Sequence, residues 1–174
     1  MIILGASLIL LLLFQGQGLP VNLPITLAQP LAQPDKRPLP SEPIGRWACL
    51  VAGETTEVPS FIVTIRLRDK AHYGLSLSDP DPSVPSQFTD RPAHLSRGGV
   101  VSLLNIDMGP SKERTTNYWF GRLRNTGGRL DLDIIGNESR LPSDPEQAWA
   151  LVQQRIDDPT LYAIQLRCRR AQRT

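Results

Sequence analysis

The residues whose types could do chemistry in this chain are a pair of aspartates, two histidines and two cysteines. Asp131 and Asp133 lie two positions apart, which on a β-strand puts both carboxylates on one face, as a general acid/base pair would need. The same spacing suits a charge ladder. In a hairpin turning through Asn125-Thr126-Gly127-Gly128, with Asn125 opposite Gly128, Asp131 stands across from Arg122, and a cross-strand ion pair explains the aspartates more simply than catalysis. His72 falls on the polar side of an alternating strand and His94 in a loop, and zinc would need further nitrogen or sulfur ligands. Asp79-Pro80-Asp81-Pro82 lacks the spacing and the glycine of a calcium loop. Gly-x-Ser-x-Gly, Gly-x-Gly-x-x-Gly, phosphate-loop and His-Glu-x-x-His patterns do not occur. The expectation is that the chain has no catalytic, cofactor-binding or metal-binding residues and takes no cofactor.

Cys49 and Cys168 are the only cysteines. An even count in an exported chain favours a structural disulfide. Cys49 shares its parity with Trp47 and Val51, and Cys168 with Tyr162, Ile164 and Leu166, so each thiol lies on an apolar strand face. A bridge requires Cα atoms within about 7 Å, which sets the first and last strands side by side or in facing sheets.

Export is read from the N-terminus. Ile2–Phe14 is an apolar run shorter than the roughly 20 residues of a membrane-spanning helix, and it matches a signal-peptide core although no Lys or Arg precedes it. We expect residues 1–28 to be a signal peptide cut after Ala28, with a cut after Gly18 and an uncleaved anchor as alternatives. The expected location is periplasmic, lumenal or extracellular. Residues 29–43, rich in proline, read as a tether, residues 44–170 as the folded domain, and residues 171–174 as an arginine-containing tail. The tandem Leu-Ala-Gln-Pro at 27–34 resembles the leaders of exported cyanobacterial proteins.

The chain of 174 residues carries 19 Lys/Arg and 17 Asp/Glu. Between Ile44 and Leu166 there are 13 basic and 15 acidic side chains, so the domain is slightly acidic, while Arg167, Arg169, Arg170 and Arg173 make the whole chain basic. Such a body is not a nucleic-acid-binding surface. Contact with a membrane is expected only through an uncleaved N-terminal segment.

Antiparallel β elements must position these groups. Phe61, Val63, Ile65 and Leu67 alternate with polar residues, and so do Tyr73, Leu75 and Leu77; a loop at 69–71 sets Leu67 opposite Tyr73, Ile65 opposite Leu75 and Val63 opposite Leu77. The second hairpin joins 115–124 to 129–136. Further strands are expected near 46–51, 100–106 and 161–169, and a helix over 145–156 with Asp144 as its N-cap and Pro145 at its first position. Residues 79–97 read as a long loop holding Phe88 and His94, either a lid over a barrel mouth or a surface insertion. Tyr118, Phe120 and Ile135 share the outer face of the second hairpin and need a cover. That cover is either the helix or, if they are exposed, a docking partner.

Contact between first and last strands favours an antiparallel up-and-down barrel with one helix before the last strand, over a β-sandwich. Gly45-Arg46-Trp47 resembles the Gly-x-Trp that opens lipocalin-type barrels; the resemblance implies that Trp47 closes one end of a barrel that takes an apolar ligand. The expected function is a non-catalytic exported binding module, with either a small apolar ligand or an extracytoplasmic protein as its partner. The alternative is a hydrolase- or isomerase-type enzyme whose site carries no recognised motif.

Overall fold

The strand-period alternation becomes eight antiparallel strands in the computed structural model, which describes residues 24–98, 101–110, 117–136 and 140–171. They are β1 (Gly45–Val51), β2 (Phe61–Leu67), β3 (Tyr73–Ser78), β4 (Phe88–Gly98), β5 (Val101–Asp107), β6 (Tyr118–Thr126), β7 (Arg129–Ile135) and β8 (Tyr162–Arg170), with helix α1 (Pro145–Arg155) before the last strand. Each strand pairs with its sequence neighbours and β8 returns to β1, so the sheet closes into an up-and-down barrel. The first hairpin takes the register that its apolar pattern demands, Leu67 on Tyr73, Ile65 on Leu75 and Val63 on Leu77.

Two expectations need correction. The second hairpin turns through Gly127 and Gly128 alone, both at positive φ (58° and 79°), as a two-residue mirror-image turn requires. Thr126 therefore faces Arg129, and Arg122 faces Asp133 rather than Asp131. A shift of two residues preserves every side chain's face, so the apolar pattern could not detect it. The second correction is strand β4, which occupies most of the supposed loop at 79–97. Pro92 donates no ladder hydrogen bond, Asp90 has φ +48°, and the β3–β4 register shifts between Leu75 and Leu77. These irregularities hid the strand and leave a connection of only nine residues, 79–87.

Cys49 and Cys168 face each other across the β1–β8 ladder with Cα atoms 4.0 Å apart and form a disulfide. Both are buried inside the barrel. The bond thus lies across the seam where the barrel closes, between two cysteines 119 positions apart in the chain.

The two ends of the barrel differ. At one end β2 turns into β3 and β6 into β7 over a few residues. At the other lie the longer connections, including the helical one between β7 and β8. Asp144 caps α1 by accepting from the Gln147 amide at 2.9 Å. Ala148, Val152 and Ile156 then bury one side of the helix on the outer wall, together with Leu103, Phe120, Ile135, Leu161 and Tyr162.

The proline-rich stretch is a strap, not a free tether. At the mouth its backbone bonds to the diverging ends of β6 and β7, with the Ile25 amide donating to the Ile135 carbonyl at 3.0 Å and the Tyr118 amide to the Leu27 carbonyl at 2.9 Å. Leu31 is buried in the outer cluster, and its amide donates to Asn105 Oδ1 on β5 at 3.1 Å. Farther along, the Asp35 amide donates to the Leu95 carbonyl at 2.8 Å, and Leu39 and Ile44 pack against the interior at the closed end. Prolines keep the segment from forming its own ladder, so it holds on through scattered amides and the two leucines of the tandem repeat. Residues 1–23 and 172–174, which hold most of the signal segment and the end of the tail, lie outside the described residues.

The disulfide prediction is direct. Purified protein should titrate no thiol before reduction, and the double variant Cys49→Ala/Cys168→Ala should lose roughly 2–5 kcal/mol in urea unfolding. Two free thiols, or unchanged stability, would contradict closure through this bond.

Candidate functional site

Inside the barrel most apolar side chains are buried, and several are only partly so. Toward the closed end, Trp47, Val63, Ile65, Tyr73, Leu75, Leu104 and Leu130 are each at most 1% exposed. Toward the mouth, Val51, Leu77, Met108, Trp119 and Ile164 belong to the same cluster yet are only partly buried. An eight-stranded barrel is just wide enough either to be filled by side chains or to hold one small molecule. In this one, half-covered groups at the mouth stand among the buried Phe61, Phe88, Ile106 and Ile134.

The closed end is built around Trp47. Its indole N–H donates to the Pro43 carbonyl at 2.8 Å, and the Arg170 guanidinium lies 4.0 Å from the centre of its ring. Arg170 also donates to the Ile44 carbonyl at 2.5 Å and to the Glu42 carbonyl at 2.9 Å. Gly45 has φ +141°, and a side chain there would collide with Arg170. That is the physical reason for glycine two residues before this tryptophan. Tyr73 completes the plug, donating to the Pro40 carbonyl at 2.6 Å, and burial pushes its hydroxyl up to about 12.

The outer wall holds two polar clusters. Asp133 is wholly buried on the outside of β7, where Arg122 binds one carboxylate oxygen at 2.8 Å and Arg167 binds the other. Arg122 also donates to the Ile156 carbonyl at 2.6 Å, tying the C-terminal end of α1 to the wall. Asp131 is held by Arg124 at 3.2 Å. The two aspartates are thus structural ion-pair partners, each engaged by arginine. In the second cluster, Asn105 donates to Ser96 Oγ at 3.0 Å, and Ser96 donates to the Ala32 carbonyl of the strap at 2.8 Å. His94 Nε2 lies 3.2 Å from that same carbonyl.

The residues singled out in the sequence are thereby separated. Phe88 and His94 sit on opposite faces of β4 and do not form a lid. Phe88 points inward, edge-on to Trp119 with ring centres 6.2 Å apart, while His94 is buried beneath the strap. Phe120 and Ile135 are fully buried and Tyr118 partly so; α1 and the strap cover all three. The residues offered as a docking patch are thus covered by the chain itself. The mouth residues Leu77, Trp119 and Ile164 carried a signal in their parity, but nothing in the alternation says which end of a strand will lie at a mouth. Among the described residues no cluster of three or more His, Cys, Asp or Glu side chains could hold a metal.

Burial lowers the pKa of His94, the Ala32 carbonyl opposes that shift, and His72, edge-on at 6.1 Å, adds to it. Below pH 6.5 the unfolded chain then binds a proton that the folded chain refuses. Stability is full above 6.5 and falls as the pH drops toward the lowered value. The urea midpoint should therefore fall between pH 7.5 and 5.5, and it should fall less in His94→Gln. Equal falls in both proteins would remove His94 from the account.

No family model matches this chain, and no curated protein or solved structure matches it.

Proposed function

We propose that the protein is a non-catalytic binding module whose ligand is a small apolar molecule held in the mouth half of the barrel. The observation that carries this reading is the half-covered apolar lining of Leu77, Trp119 and Ile164 above a sealed floor. Covering such a surface is worth about 25 cal/mol per Å², and the rigid barrel spends little entropy on receiving a ligand. A closed eight-stranded barrel is compatible with the lipocalin-type resemblance of Gly45-Arg46-Trp47. A lipocalin-type protein would bind an apolar ligand in this place.

The test uses the uncharged apolar dye N-phenyl-1-naphthylamine. Saturable binding at one site is expected, and Trp119→Ala should weaken it at least tenfold, since its indole is the largest apolar side chain of the lining. Absence of saturable binding, or an unaffected Trp119→Ala variant, would defeat the proposal.

The same reading places the protein in an oxidising compartment outside the cytoplasm, in keeping with its disulfide. The strap bears on how the leader would be processed. A cut after Ala28 would remove Ile25 and Leu27, which bond to β7 and β6. The cut after Gly18 would retain them. Intact-mass measurement of protein purified from its source is expected to show an N-terminus upstream of Pro24; an N-terminus at Ala28 or Gln29 would show that the barrel matures without this part of the strap.

A further inference from the structure

Closure of the barrel brings together arginines that are remote in sequence. Arg66 on β2, Arg46 on β1, Arg169 on β8 and Arg129 on β7 are all exposed, and all lie on the outside of the barrel near its closed end. These four strands are consecutive around the wall, so the arginines follow an arc of three strand intervals, about 14 Å measured across the strands. None of the four makes an ion pair with a described residue. The only carboxylates on these strands are Asp131 and Asp133, and both are already engaged by Arg122, Arg124 and Arg167.

Arg129 and Arg169 stand directly opposite each other in the β7–β8 ladder. Like charges in that position oppose folding, so the pair does not serve the stability of the barrel. Beside the array, at the end of β2, Leu67 is 56% exposed between Arg66 and Arg68, one of two large apolar side chains so exposed among the described residues. The outward positions between the arginines are Ala48 and Thr64, with no aromatic anchor of the kind that dominates protein–protein contacts. A planar guanidinium takes two phosphate oxygens at once. An arc of arginines around the closed rim, with an exposed leucine at the end of β2 beside it, meets a layer of phosphates over hydrocarbon when the barrel stands on that end.

We propose that this closed rim is a docking surface for the headgroups of an anionic lipid bilayer, with Leu67 entering the interface. It lies at the opposite end of the barrel from the ligand mouth and does not depend on the ligand reading.

The experiment is co-sedimentation of the protein with vesicles of phosphatidylcholine alone and of phosphatidylcholine with 30% phosphatidylglycerol. Binding to the anionic vesicles should exceed binding to the neutral ones, and the excess should disappear at high salt as screening shortens the reach of the charges. Arg129→Gln/Arg169→Gln should weaken the excess about thirtyfold. Lys36→Gln, on the strap across the barrel, should leave it unchanged. Arg169→Gln should also unfold at the same temperature as the wild type or a higher one, because it relieves repulsion. No excess on anionic vesicles, or an excess untouched by the double variant, would overturn the proposal. So would displacement by 10 mM inorganic phosphate at constant ionic strength, which would indicate a site for a single ion. A lower unfolding temperature for Arg169→Gln would overturn it as well, by showing that the fold itself needs the arginine.

Discussion

Pairing of the first strand with the last is the constraint on which the rest of the structure depends. Until β8 lies against β1, the sheet has two free edges, each a row of unmet amides and carbonyls. Closing it brings together segments more than a hundred residues apart, and the entropy of that closure is the largest loop cost in the fold. The Cys49–Cys168 bond spans this seam, inside the barrel, so the cost is met in the unfolded chain. Three other features follow from the seam. Arg170 can reach Trp47 only because β8 ends beside β1, Arg167 can reach Asp133 only because β8 also lies beside β7, and the arginine array exists only because β7, β8, β1 and β2 are contiguous.

The outer wall shows how a barrel with apolar residues on both faces is completed. Alternation sends Leu103, Phe120 and Ile135 outward, where they would face water. The chain covers them from two directions, with α1 after the seventh strand and the strap before the first. The strap does this without regular structure. Its prolines deny it a ladder, and Asn105, Ser96 and His94 on the wall supply the polar partners that a ladder would have provided. One segment therefore ties the mouth, where Leu27 bonds to β6, to the closed end, where Pro40 and Pro43 receive hydrogen bonds from Tyr73 and Trp47.

The arginines have been sorted by their surroundings. Arg170 stacks on an aromatic ring, Arg122 and Arg167 share one buried carboxylate, and Arg46, Arg66, Arg129 and Arg169 face solvent. Identical side chains thus serve in packing, in a buried ion-pair cluster and on an unneutralised surface, and the difference lies in which carboxylates and rings the register brings within reach.

Much of the fold was legible in the alternation. The Phe61–Leu67 and Tyr73–Leu77 runs carry their register in their own pattern, because a slip of one residue would turn every apolar group to water. Asp144-Pro145 announced the helix because capping is local chemistry. What escaped did so for equally physical reasons: β4 is broken by Pro92 and by the left-handed Asp90, and the second hairpin's two-residue shift leaves the apolar face intact. By itself the sequence determined the faces of the two hairpins, the helix and its cap, and the cysteine pairing, since these depend on neighbours along the chain or on there being just two thiols. Only the tertiary structure decided that the proline-rich segment folds back, that Asp133 rather than Asp131 meets Arg122, that apolar groups at the mouth are half-covered, and that four distant arginines lie along one rim of the barrel. Each of these depends on which strands become neighbours when the barrel closes, and closure is a property of the whole sheet.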